Sequence, residues 1–219
     1  MKTLLSWSSG KDSAWALHIL RGQPDVSVVG LVTTVNEAFD RIAIHGVRST
    51  LMNLQAAATG LPLHRLDLPW PCPNEAYEGI MSDFVAQRVS EGIEAFAFGD
   101  LFLEDIRRYR EQKLAGSGLR PLFPLWGRET NSLAHAMIAG GLEAHVVCLD
   151  PRKLPSHFAG RSFDRDFIAE LPRGVDPCGE NGEFHTFASA GPMFSRPIPV
   201  RCGEILERDG FVFCDLTEK

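Results

Sequence analysis

The apolar run Thr3-Leu4-Leu5 breaks at Ser6-Trp7-Ser8-Ser9-Gly10-Lys11-Asp12-Ser13, and a stretch that reads as a helix, Asp12 to Arg21, follows at once. A strand that feeds a helix through a loop of small residues is the opening unit of an α/β fold. It is also an anion site. The first amides of the helix lack intrahelical partners and the helix dipole favours negative charge there. Small side chains let a phosphate approach the backbone, and Lys11 adds a positive point charge.

The spacing narrows the kind of phosphate. The loop of kinases and GTPases needs Gly, four residues, then Gly-Lys-Ser/Thr. Here Asp12 follows Gly10-Lys11, and Leu5 holds the position of the first glycine. The dinucleotide fingerprint Gly-x-Gly-x-x-Gly is absent from the loop as well. Ser8-Ser9-Gly10-Lys11-Asp12-Ser13 resembles instead the pyrophosphate loop, Ser-Gly-Gly-Lys-Asp-Ser, of ATPases that split ATP between its α and β phosphates. Ser9 stands where many of these have glycine; it is small and adds a hydroxyl donor.

Strands and helices alternate through the first half. Val26 to Val35 is β-branched and apolar, a buried strand, and Leu63 to Leu68 is a shorter one. Val47 to Thr59 and Asn74 to Glu91 carry apolar residues at helical spacing. Ala95 to Asp100 reads as a fourth strand ending in Gly99-Asp100, and Leu103 to Leu114 as an ion-paired helix. The pattern implies a doubly wound parallel sheet with right-handed crossovers, in which ligands bind beyond the carboxyl ends of the strands. That rule sets the Ser8–Ser13 loop, Thr33-Thr34 and Gly99-Asp100 on one rim. Prolines become frequent after Gly118, and a smaller α+β domain is expected there: residues 1–124 for the first domain and 125–219 for the second.

The chain of 219 residues is 44% apolar, enough for a sizeable core, with no apolar run long enough to cross a bilayer and no signal-peptide pattern. Five scattered cysteines without a Cys-x-x-Cys pair exclude a zinc finger or disulfide framework and fit a reducing cytoplasm. A net charge of −6 argues against broad nucleic-acid binding.

Two further groups bear on chemistry. Asp100 ends a strand at the ligand rim and, with Asp12, is a candidate for holding magnesium, a hard cation that takes oxygen ligands. Arg107 on the following helix could hold a phosphate or a substrate carboxylate, although a solvated ion-paired face is the plainer reading. The second informative stretch is Pro177-Cys178-Gly179-Glu180-Asn181-Gly182-Glu183-Phe184-His185-Thr186-Phe187. Asn-Gly is a strong hairpin signal. With Asn181-Gly182 as the two central residues, Glu180 and Glu183 pair directly, and His185 shares their face. Paired acids repel, so the arrangement suits a ligand: a metal, an ammonium group or a shared proton.

These stretches, with Phe98-Gly99-Asp100 and Pro124-Leu125-Trp126, resemble the ATP-dependent diphthine–ammonia ligase family over essentially the whole chain. Arg41 to Arg48 and Leu51 to Ala57 look like its bacterial branch. The resemblance implies a first domain of the nucleotide alpha hydrolase (HUP-like) type. It implies that ATP adenylates a substrate carboxylate, pyrophosphate leaves, and ammonia attacks to give an amide. In diphthamide synthesis, which belongs to archaea and eukaryotes, the carboxylate is that of diphthine on an elongation factor; bacterial relatives have no diphthine to amidate, and for them the resemblance leaves the acceptor open. On this reading Ser8, Ser9, Gly10, Lys11, Asp12, Ser13, Thr33, Gly99 and Asp100 bind ATP and Mg2+. Lys11, Glu183 and His185 act in catalysis, while Glu180, Asn181, Glu183 and Arg107 meet the substrate. A homodimer is compatible with it. A tRNA-modifying relative would call for a catalytic cysteine pair or a basic face, and an ATP sensor has little use for paired acids.

Overall fold

The structure, a computed structural model, describes residues 1–36, 41–42 and 46–219. The branch-like stretch Arg41 to Arg48 therefore lies in part outside the described residues. In the first half the elements run β1 (Lys2–Ser6), α1 (Lys11–Arg21), β2 (Ser27–Asn36), β3 (Arg41–Ile42), α2 (Ser49–Thr59), β4 (Leu63–Leu68), α3 (Asn74–Ser90), β5 (Ala95–Ala97), α4 (Glu104–Leu114) and β6 (Arg120–Leu122). Five strands are parallel in the order β4-β2-β1-β5-β6, and β3 adds antiparallel to the far end of β2. Strands β1 and β2 are apolar because both faces of the sheet are covered. Leu5 and Leu31 pack with Ala14, Leu17 and Leu20 of α1, while Leu4, Val32 and Phe96 pack with Phe84 and Val85 of α3.

Register decides where the rim lies. Ser6 at the end of β1 sits opposite Val32, so Thr33 to Asn36 project past β1. The expected fourth strand is shorter than read, stopping at Ala97, with Phe98 N–H still donating to Leu122 O at 2.9 Å. Gly99 leaves the sheet to pass under α1: a Cβ there would stand 3.1 Å from Asp12 C and Ser13 N. The apolar run Ala95 to Phe98 marks the strand, but this close approach ends it.

The second half holds α5 (Thr130–Ala139), β7 (Glu143–Leu149), a 3-10 turn (Ser156–Phe158), α6 (Arg165–Glu170), β8 (Phe184–Ala190), β9 (Val200–Arg208) and β10 (Phe211–Glu218). Its four strands form an antiparallel sheet, β8-β7-β10-β9. One apolar core runs through both halves, joining Trp7, Leu17 and Leu51 to Phe167, Phe184 and Phe187. Among the described residues no helix is long and apolar enough to cross a membrane.

Candidate functional site

Strand order reverses between β1 and β5, and the loops that follow these two strands flank the crevice where open α/β sheets take ligands. The first is the Ser8–Ser13 loop. Ser9 turns it with φ +67, and Gly10 caps α1 without a side-chain cap. Ser8 Oγ and Ser13 Oγ lie 3.2 Å apart, and Ser13 Oγ donates to Gly10 O at 3.0 Å. Ser9 Oγ is buried without a partner.

The second half closes on this loop directly. Lys11 N–H donates to Thr186 Oγ1 at 3.1 Å, and Ala188 N–H donates to Ser9 O at 2.9 Å. The Lys11 side chain turns the same way. It is 1% exposed, its ammonium donates to Cys178 O and to Asp12 Oδ2 (2.9 Å), and it lies over the Phe163 and Phe184 rings at 5.6 and 5.4 Å. Burial alone would lower its pKa, but Asp12 beside it outweighs that and leaves the lysine held charged. Lys11 thus ties the Cys178 turn to the loop.

The segment after Pro177 is not the hairpin expected from Asn181-Gly182. Strand β8 begins only at Phe184 and pairs with β7, not with the residues before the turn. Gly182 N–H donates to Gly179 O at 3.0 Å, which makes Glu180 and Asn181 the central pair, one residue earlier. Gly179 decides this register: it has φ +70, and a Cβ there would stand 2.7 Å from Phe184 O. Glu180 and Glu183 are therefore not cross-strand partners. Glu180 Oε1 accepts the Leu101 N–H at 2.7 Å, beside the loop that follows β5. Glu183, 4% exposed, turns inward, and its Oε1 accepts from Asp176 N–H and Asn181 Nδ2, both at 3.1 Å. Its Oε2 is buried without a partner. Asp176 Oδ2 accepts the Glu180 N–H at 2.8 Å and completes the turn.

The charges sort themselves accordingly. Burial, with Asp12 and Asp100 nearby, pushes the Glu180 carboxyl up to about 7 against the pull of the Leu101 N–H. Burial and the Lys11 ammonium push His185 down to about 4, so its imidazole is neutral at pH 7. Burial pushes the Cys178 thiol up, and Sγ donates to Thr130 O at 3.4 Å.

The remaining expected residues fall in different places. Thr33, 3% exposed, lies on the projecting end of β2 with Oγ1 buried and unpartnered. Asp100 is gripped by Arg110, from Nε at 2.6 Å and Nη2 at 3.1 Å. Arg107 pairs with Glu111 at 2.8 Å, and its guanidinium stacks 4.7 Å from Trp126 and 5.0 Å from Phe123. Arg110, Asp176 and Thr186 were not singled out from sequence. Arg110 looked like one more member of a charged helix face, and Asp176 and Thr186 carry no motif spacing of their own.

Magnesium is tested by the oxygens left over. Asp12 Oδ1 is buried without a partner, whereas both oxygens of Asp100 are engaged by Arg110. Among the described residues no cluster of three His, Cys, Asp or Glu side chains is set to hold a metal. The free Asp12 oxygen suits magnesium, which takes few protein ligands beside substrate phosphates and water.

Family models for the N-terminal and C-terminal domains of diphthamide synthase match residues 1–121 and 129–217. The chain is 26% identical over 232 residues to the diphthine–ammonia ligase of Homo sapiens and 28% to that of Rattus norvegicus, covering 96% of this chain and 86% of each relative. It is 25% identical over 237 residues to the diphthine–ammonia ligase of Schizosaccharomyces pombe, covering all of this chain and 39% of that longer protein.

Proposed function

The chain belongs to the diphthamide synthase family, and on that premise we propose that it is an AMP-forming, ATP-dependent ligase that turns a substrate carboxylate into an amide. One observation supports the reading: Lys11 N–H donates to Thr186 and Ala188 N–H donates to Ser9 O, which ties the segment carrying the Glu180 turn to the phosphate loop.

The loop amides with Ser8 and Ser13 hold the leaving pyrophosphate, and Thr33 on the projecting β2 end faces the nucleoside. The substrate carboxylate oxygen attacks the α phosphorus, the bond to the bridging oxygen breaks, and pyrophosphate departs. Magnesium, held by Asp12, would offset charge on the phosphates. Catalysis of this step is positioning and electrostatics. Ammonia then attacks the acyl carbon and AMP leaves. Ammonium must first lose a proton, and Glu180, with its carboxyl near 7, fits that task better than Glu183, whose Oε1 already accepts two N–H groups, or His185, which protonates only near 4. Asn181 and Glu183 hold the turn that presents Glu180. Diphthine, the substrate in the relatives' name, is the acceptor we propose, carried on an elongation factor.

The test is to supply ATP, magnesium, ammonium and a peptide bearing the diphthine carboxylate, and to identify the products. AMP, pyrophosphate and the amide are expected. ADP and phosphate would contradict the reading.

A further inference from the structure

We propose that Gln55 is the positioning residue that aims the Gly10 amide of the phosphate loop, a role that rests on the ATP-binding reading of that loop. Gln55 lies on α2, fully buried, distant in sequence from both motifs. Its Oε1 accepts the Trp7 indole N–H at 3.0 Å. Its Nε2 donates to Ser9 O at 3.0 Å and to Ala188 O at 2.7 Å, so both amide protons are engaged. Ala188 N–H donates to the same Ser9 carbonyl at 2.9 Å. Two donors thus fix the Ser9 C=O towards α2 and β8.

The consequence follows from the planar trans peptide, in which C=O and the next N–H point in opposite directions. Holding Ser9 C=O inward turns Gly10 N–H outward, towards Ser8 Oγ. That contact is 3.4 Å, at the outer limit of a hydrogen bond, so the donor is open to a stronger acceptor such as a phosphate oxygen. Ser9 achieves the turn with φ +67, a conformation that costs a residue bearing a Cβ and persists where its surroundings hold it. Gln55 is the side chain that does so, and it couples the loop to β8 at the same time.

Pyrophosphate and adenosine, used as separate probes on the full chain, divide this role from general damage. Gln55→Met keeps length and apolar packing but removes all three hydrogen bonds. We expect it to weaken pyrophosphate binding about tenfold or more, the loss of a well-aimed bond to a charged group, with adenosine affinity unchanged. Equal pyrophosphate affinity in native and variant chains, or loss of both ligands together, would overturn the role. Should the variant not fold, the native chain still decides: pyrophosphate must shift the Gly10 amide resonance, and an unmoved resonance overturns the inference. A native chain that binds no pyrophosphate at all sinks the loop reading itself, a separate outcome.

Discussion

Glu180 carries the sharpest chemistry at the scale of single residues. Its carboxyl titrates near 7 because burial and two neighbouring acids oppose its charge, and the Leu101 N–H only partly compensates. As the proposed base it works deprotonated, so kcat should rise with pH through about 7. Glu180→Gln should lower kcat by roughly a hundredfold or more and flatten that profile, which steady-state rates across pH 5–9 would show. Stability runs the other way. A carboxyl raised in the folded state binds its proton more tightly than the unfolded chain does, so its stabilising contribution is present at low pH and lost as pH rises through about 7. The amide that Glu180→Gln introduces is neutral throughout, so the variant's Tm should match the native value near pH 4 and exceed it at pH 8. Lys11 makes a different prediction. Removing it leaves Asp12 without its counter-charge in a largely buried place, and Lys11→Met should destabilise the fold by about 3 kcal/mol in urea titrations. The sequence marked both residues. It could not show that Lys11 points into the second half, since that depends on Cys178, far along the chain.

At the scale of elements, helix spacing and β-branched runs located most of the first half, and β4 spans the residues read for it, Leu63 to Leu68. The misread elements share a cause. Strand β5 and the Glu180 turn are both set by a glycine pressed against backbone, Gly99 under the far-removed α1 and Gly179 against nearby Phe184. The Asn181-Gly182 dipeptide favours a hairpin; the left-handed Gly179 and its close approach to Phe184 O move the turn by one residue. Gly99→Ala tests this. The three atoms nearest its Cβ are backbone of α1, at 3.1 to 3.3 Å, and backbone cannot rotate away, so the helix N-terminus must give slightly. We expect a stability loss of about 1–3 kcal/mol and about a tenfold weaker ATP affinity by calorimetry, the order of one lost bond to a charged group.

Across the whole molecule, the parallel sheet was legible because strands and helices alternate, and the family resemblance joined the two motifs into one site. What sequence left out is how completely the halves depend on each other. Arg21 Nη1 donates to Met193 O at 2.8 Å and Nη2 to Thr59 O at 2.6 Å, and the shared core puts Phe187 beside the loop-bearing half. Phe187→Ala should cost about 3–5 kcal/mol and shift one cooperative unfolding transition, seen by calorimetry, in place of producing two. In the proposed mechanism the joined halves form an acyl-adenylate before ammonia acts. Labelled pyrophosphate should therefore exchange into ATP when the carboxylate substrate is present and ammonia is withheld. Amide formation on adding ammonia, without any carboxylate-dependent exchange beforehand and with ADP as product, would contradict an acyl-adenylate route.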